Sequence, residues 1–277
     1  MTSMVEVHGL TKIFHHRRGL HAKDEHRAVD DVTFSLDRGR TLAVVGESGA
    51  GKSTTARLVL RLIEPDAGTI HFDGTDLLAL SSGDMRRQRR RMQMIFQDPY
   101  SALDPRITIG HSVAEPLKVH FHMNRSDREQ IVARLLGRVG LGQHHLERLP
   151  SELSGGQLQR VSIARALTVD PLLIVCDEAV AALDVSIRAE VLNLLLDIQE
   201  ERSVSYLFIA HDLAIVEAFA DDVIVMRNGA VVEAGPIGDV FTAPTSVYTK
   251  ELLAAIPVPD PSQRRGNAPR DEPAVVR

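Results

Sequence analysis

Residues 46–53 read GESGAGKS, three glycines followed by a lysine and a hydroxyl at the spacing G-x-x-x-x-G-K-[ST]. Gly46, Gly49 and Gly51 lack a Cβ, so the backbone there can curl closely around an anion. Peptide N–H groups aimed inward, together with the start of a following helix, favour negative charge. The cradle predicted from this pattern runs through Gly46, Glu47, Ser48, Gly49, Ala50, Gly51, Lys52, Ser53 and Thr54. Lys52 is expected to reach the β- and γ-phosphates of a nucleotide, and the Ser53 hydroxyl to ligate Mg2+. The chemistry implied is binding of ATP with Mg2+.

A magnesium–nucleotide site wants an acid at the end of a neighbouring strand. The run LLIVCDE (172–178) supplies four apolar residues, Cys176, then Asp177 and Glu178. Asp177 is expected to hold Mg2+, through water. Glu178, one residue on, is placed to orient or deprotonate an attacking water. A second small, polar, glycine-bearing patch occurs at LSGGQ (153–157), where Ser154, Gly155, Gly156 and Gln157 precede a helix-friendly segment. It too can aim N–H groups at an anion, yet it has no lysine. One chain thus carries two phosphate cradles.

The elements that position these residues follow from hydrophobic patterning. TLAVV (41–45), LLIVC (172–176), YLFIA (206–210) and VIVM (223–226) are continuous apolar runs and read as buried strands. Helix-period segments lie between them: Ile187, Val191, Leu194, Leu195 and Ile198 share one helical face. A helix is expected over 52–63. Strand–helix alternation predicts a parallel sheet with helices on both sides. MVEVHGL and GTIHFDG alternate and are turn-bounded, which predicts an antiparallel β piece on the N-terminal side. Residues 99–150 contain helical patterns and read as a mostly helical insertion. Residues 15–27, HHRRGLHAKDEHR, are polar and read as a surface loop. Their four histidines fit no standard metal spacing. The proline-rich, charged tail after Ile256 reads as disordered.

Composition sets the outer bounds. The chain has 277 residues, 44% hydrophobic and 25% charged, ordinary for a globular protein. A net charge of −5 gives no reason to expect nucleic acid. The one patch that argues otherwise, RRQRRR at 86–91, reads as the solvated face of an exposed helix. A single cysteine, Cys176, allows no disulfide framework and predicts a reducing compartment. The opening MTSMVEVHGL has no basic stretch followed by an apolar one, so no signal peptide is expected. No window approaches the roughly 18 apolar residues of a membrane span.

A phosphate loop, LSGGQ and a strand ending in Asp-Glu, in this order, resemble the nucleotide-binding subunit of ABC transporters. The resemblance covers about 4–257. It implies an α/β P-loop NTPase fold with a RecA-like parallel-sheet core, an N-terminal antiparallel β subdomain and a helical subdomain at about 99–165, within an ATPase domain at 4–255. In that family two ATPase domains meet head to tail, and each LSGGQ covers the γ-phosphate of the ATP held by the other, so each cradle is half of a site. By position, the resemblance makes Gln97 a sensor of Mg2+ or the attacking water and a link to the membrane partner. It places His211 at the γ-phosphate, Asp184 at the dimer interface and Phe14 against adenine.

GESGAGKST, MQMIFQDPYSALDPR, LDVSIRAEVLNLL and VYTKELLAAIP look like the oligopeptide/dipeptide importer ATPases, a group that includes nickel importers. That implies a second ATPase, usually a different one, with a homodimer left open, two permeases and, indirectly, an extracytoplasmic solute-binding protein. It also implies a location on the cytoplasmic face of the cell membrane and no nucleic acid partner. Four positions depart from the family pattern: Ala179 stands where proline is usual, Ala181 where serine is, Leu158 where a basic residue is common, and Ser246-Val247-Tyr248-Thr249 where His-Pro-Tyr-Thr is. None removes a catalytic group. Cysteines that hold an iron–sulfur cluster in some relatives are absent. Three other readings stay open: a regulatory ATP-binding half with weak hydrolysis, a non-transport ATPase acting on ribosomes or DNA, and an exporter subunit. The single cassette and the lack of heptads weigh against the second of these, and the tail motif against the third.

Overall fold

A continuous apolar strand needs cover on both faces, and the central strands here receive it from helices on one face and from a helix together with antiparallel strands on the other. The computed structural model describes residues 3–18, 22–181 and 183–255. In chain order, β1 (Ser3–Arg18) and β2 (Ala22–Asp37) form a long antiparallel pair, followed by β3 (Thr41–Val45) and α1 (Lys52–Val59). β4 (Ala67–Phe72) and β5 (Thr75–Asp76) join the first pair in a four-stranded sheet ordered β2-β1-β4-β5. This is the antiparallel piece that MVEVHGL and GTIHFDG predict. Helix α1 stops short of the expected 52–63: Leu60 caps it, and Arg61 turns away with φ of 47°.

The stretch 15–27 corrects the expectation of a loop. His15 pairs with Glu25, His16 with Asp24, Arg17 with Lys23 and Arg18 with Ala22, so β1 and β2 run on through 15–18 and 22–27 as a two-stranded arm. His15 Nδ1 lies 3.4 Å from Glu25 Oε1 across the pair. Backbone hydrogen bonds across the pair supply a regularity that side-chain patterning does not reveal. The side chains of His16 and His21 lie outside the described residues, as does the tail 256–277.

Next come α2 (Ser82–Arg89) and β6 (Met92–Ile95), then only helical elements until β7: α3 (Ile109–His120), α4 (Arg125–Arg138), two short 3-10 turns and α5 (Gly155–Leu167). The basic run sits on and just after α2. Arg87 pairs with Asp84 and Arg91 with Asp73, Arg89 donates to the Arg61 carbonyl at 3.0 Å, and Arg90 lies over the Phe121 ring at 4.6 Å. These intramolecular partners suit the solvated helix face expected there.

The remaining elements are β7 (Leu173–Asp177), α6 (Val185–Arg202), β8 (Ser205–Ile209), α7 (Leu213–Phe219), β9 (Asp222–Arg227), β10 (Ala230–Pro236), α8 (Ile237–Thr242) and α9 (Val247–Ala254). The second sheet has six strands in the order β10-β9-β3-β8-β7-β6. Every pairing from β9 to β6 is parallel, while β10 closes the edge antiparallel. β3, β7 and β8 are buried along their whole length. Helix α6 buries Val191, Leu194, Leu195 and Ile198, with Ile187 partly covered, the face expected from periodicity. No helix among the described residues is long and apolar enough to cross a membrane.

Helix α9 returns to the sheet and is tied down at its start. The Glu233 carboxylate on β10 accepts hydrogen bonds from the Thr245 N–H (2.6 Å), the Thr245 hydroxyl (2.9 Å) and the Ser246 N–H (3.1 Å). Burial pushes this carboxyl up, but the donors from Thr249, Thr245 and Ser246 outweigh it and hold it at about 2, below its ordinary 4.5. A carboxylate held low stabilises the fold above its unfolded pKa and loses that contribution as it protonates. Wild type is therefore expected to exceed Glu233→Gln in thermal stability above pH 4.5, with the gap shrinking as pH falls from 4.5 towards about 2. Paired thermal melts across that range check this, and a gap independent of pH contradicts it.

Candidate nucleotide site

Parallel pairing puts the carboxyl ends of β3, β8, β7 and β6 side by side on one edge of the sheet, where ligands of open α/β sheets collect. The expected site residues leave from those ends. Gly46 follows β3, Asp177 ends β7 with Glu178 next, His211 lies just past β8 and Gln97 just past β6.

The loop 46–53 closes on itself through its lysine. Lys52 Nζ donates to the Gly46 and Glu47 carbonyl oxygens, each at 2.8 Å. Lys52 is 5% exposed. Burial pulls its ammonium below the ordinary value, while Glu178 and Asp177 act to keep the charge. Gly51 at the start of α1 has φ of 100°, and a Cβ there would sit 2.3 Å from the Ala28 carbonyl oxygen on β2. The loop is therefore pressed against β2, and only glycine fits.

Ser53 Oγ donates to Asp177 Oδ1 at 2.8 Å. Asp177 is 5% exposed; desolvation raises its pKa and the Ser53 hydrogen bond opposes that. A hydroxyl and a carboxylate oxygen in contact form a hard-oxygen donor pair of the kind Mg2+ takes. The glycine-lined cradle beside them fits phosphate, so the residues present suit a magnesium nucleotide.

Glu178 adopts φ of 47°, a left-handed conformation costly for a side chain with a Cβ. Its N–H donates to the Ile209 carbonyl on β8 at 3.1 Å, and Ala181 N–H closes the turn back onto the Glu178 carbonyl at 3.0 Å. This backbone aims the carboxylate with alanine, not proline, at position 179, where Ala179 is buried. Gln97 Nε2 donates to Glu178 Oε2 at 2.7 Å, and His211 Nδ1 lies 3.7 Å from the same oxygen. Three strand ends thus converge on one carboxylate oxygen.

A cleft of about 350 Å³ opens over the loop. Phe14, Ser48, Gly49, Gly51, Lys52, Ser53, Thr54, Gln97 and Glu178 line it, as do His26 and Ala28. Phe14 faces His26 across the β1–β2 pair. His26 reaches the cleft because β2 runs through its position, a placement that the surface loop expected at 15–27 does not give.

The second cradle stands elsewhere. Ser154 caps α5 by a reciprocal pair: its Oγ accepts from the Gln157 N–H at 3.3 Å, and its own N–H donates to Gln157 Oε1 at 2.9 Å. Among the described residues that line the cleft, none comes from 153–157. Asp184 caps α6 without a side-chain hydrogen bond, is exposed, and does not line the cleft either. His145, 5% exposed, was also missed. Its Nδ1 lies 3.1 Å from the Gly142 carbonyl oxygen and its Nε2 3.5 Å from Gln157 Nε2, so it backs the side chain that completes the cap. The only sequence signal was a histidine pair just upstream of the motif.

A family model described as ABC transporter matches residues 29–181. A probable peptide ABC transporter ATP-binding protein, y4tS, of Sinorhizobium fredii is 50% identical over 243 residues, covering 88% of this chain and 69% of its own length. The glutathione import ATP-binding protein GsiA of Escherichia coli strain K12 is 50% identical over 264 residues, 95% of this chain. The chain spans only 42% of the length of that relative. Among solved structures, the ATP-binding cassette MJ0796, dimeric in a post-hydrolysis state bound to ADP and Pi, superposes with a TM-score of 0.76 at 26% identity. That match covers 84% of this chain and 99% of the cassette.

The loop geometry separates two glycines. Gly49 also has positive φ, 82°, but a Cβ there meets nothing within 4 Å. Gly49→Ala is expected to bear only backbone strain, about 1–2 kcal/mol, and to keep saturable ATP binding within roughly 30-fold of wild type. Gly51→Ala adds the collision with Ala28 and is expected to lose saturable binding. Equilibrium titration of both variants checks this, and equal losses contradict the packing described.

Proposed function

The chain belongs to the ABC transporter family, and on that footing we propose that it is the ATP-hydrolysing subunit powering import of peptides or related small solutes through two membrane permeases. The observation that carries the catalytic part is the meeting of Gln97 and His211 on Glu178 Oε2, beside a lysine and a Ser53–Asp177 pair. The cargo class rests on the two relatives, one named for peptides and one for glutathione import.

The reaction is transfer of the γ-phosphoryl group of ATP to water, which breaks the bond to ADP and releases phosphate. There is little covalent work for the protein; positioning and charge stabilisation do most of it. Lys52 exchanges its two loop carbonyls for phosphate oxygens. Ser53 and Asp177 would hold Mg2+, which supplies charge neutralisation on the phosphates. Glu178 accepts the hydrogen bond of the attacking water and is the base nearest it, with Gln97 fixing the carboxylate's orientation. In this reading His211, 3.7 Å from the Glu178 carboxylate, donates to the γ-phosphate once nucleotide is bound. Phe14 and the loop residues Gly46, Glu47, Ser48, Gly49, Ala50, Gly51 and Thr54 hold the nucleotide.

The site so described is half of a whole. Ser154, Gly155, Gly156 and Gln157 stand outside the cleft and, in this reading, cover the γ-phosphate on a facing ATPase, with Asp184 at the seam. The facing subunit is a second, different ATPase. ATP closes the pair, closure moves the permeases, and hydrolysis reopens it. The chain then works on the cytoplasmic face of the membrane, peripherally, with an extracytoplasmic solute-binding protein as an indirect partner and no nucleic acid. Residues 4–255 form the ATPase domain, with the helical part at about 99–165.

Glu178→Gln is expected to slow phosphate release by roughly 100- to 10,000-fold while ATP affinity stays unchanged. Phosphate-release kinetics beside nucleotide titration checks this; hydrolysis at the wild-type rate removes Glu178 from its role. Pull-down from detergent-solubilised membranes is expected to recover two multi-span permeases and a distinct ATPase. Ribosomal or DNA-bound partners without a permease would contradict the transport reading.

A further inference from the structure

The first peptide unit of the phosphate loop, between Gly46 and Glu47, is gripped at both ends. Its carbonyl oxygen accepts from Lys52 Nζ at 2.8 Å. Its N–H donates to the hydroxyl oxygen of Tyr248 at 3.1 Å, from a residue 201 positions away. We propose that Tyr248 is a positioning residue for ATP: its hydroxyl fixes the Gly46–Glu47 peptide and thereby makes the phosphate loop depend on the docking of the C-terminal helix α9. The proposal rests on reading 46–53 as the ATP cradle.

Tyr248 is well placed to do this. It is the second residue of α9 and 4% exposed, so its ring cannot swing into solvent without unpacking. The Arg227 guanidinium, at the end of β9, lies over the ring at 4.6 Å. The helix itself is held at its start by Glu233 on β10. A continuous path runs from Glu233 through α9 and Tyr248 to the loop peptide and then to Lys52.

The need for the hydroxyl arises when nucleotide enters. In the structure Lys52 spends its ammonium on the Gly46 and Glu47 carbonyls. To reach phosphate it must release them. The Gly46–Glu47 peptide then keeps only its N–H contact with Tyr248, which prevents it from rotating and carrying the rest of the loop out of shape. A partly buried N–H without an acceptor is costly, so a phenylalanine at 248 would leave the peptide both unheld and unsatisfied. Pure packing by the ring predicts no such effect, because phenylalanine keeps the ring and its contact with Arg227.

The test is Tyr248→Phe in the full chain, isolated with its partners. ATP Kd and KM are expected to rise about fivefold, within a three- to tenfold range, as one hydrogen bond is lost. The kcat is expected to stay within about twofold, since Gln97, Glu178 and His211 are untouched. Amide hydrogen exchange at Glu47 is expected to speed up by a similar factor, with or without ATP. Glu233→Gln, which loosens the helix from its other end, is expected to shift KM and Glu47 exchange in the same direction, and it serves if Tyr248→Phe does not fold. Wild-type Kd and wild-type Glu47 exchange in a folded Tyr248→Phe overturn the proposal, as does an unchanged Glu47 amide in Glu233→Gln when that is the variant read. Absence of ATP binding in the wild-type chain would instead overturn the cradle reading, and Glu47 exchange then still decides whether Tyr248 holds the peptide.

Discussion

The 2.8 Å hydrogen bond from Ser53 to Asp177 joins the first turn of α1 to the end of β7, across 124 residues of chain. It can exist only if β3 and β7 deliver their ends to the same edge, and β8 between them sets that spacing. Slipping any of these strands by one residue would turn its side chains to the opposite face and break the bond. The uniformly buried strands, the helices that cover them and the left-handed Glu178 all serve this one alignment.

Holding Lys52 and Asp177 nearly dry is unfavourable for the fold taken alone. The resting arrangement limits that cost by giving each charge a polar partner: loop carbonyls for Lys52 and the Ser53 hydroxyl for Asp177. Those partners are ones a magnesium nucleotide can displace, so the site stays satisfied before and after binding. Glu178 follows the same logic, with its carboxylate occupied by Gln97 in an otherwise strained turn.

Much of this could be read from the chain. The loop 46–53 is legible because its function lies in backbone shape, which glycine spacing encodes directly. Asp177, Glu178, Gln97 and His211 are legible because each follows a short apolar run. The two-stranded arm through 15–18 and 22–27 was not, because its sequence is polar and side-chain patterning does not reveal backbone pairing. The short α1 and the antiparallel β10 depend on a single left-handed residue and on an edge position. His26, His145 and the Tyr248 contact were out of reach because each depends on tertiary placement that local pattern does not carry.

What the alignment at the sheet edge leaves open is the side of the cleft that 153–157 does not line. The central claim is that another subunit supplies it. The most direct measurement is disulfide trapping in the isolated complex, with Ser154→Cys in this chain and a cysteine at the facing ATPase's equivalent of Ser48, on a Glu178→Gln background to halt turnover. Cys176 is fully buried and does not compete. The account predicts a covalent dimer that forms only with ATP. A control chain carrying both Ser48→Cys and Ser154→Cys that closes an internal disulfide as a monomer, or dimer trapping indifferent to ATP, would contradict it.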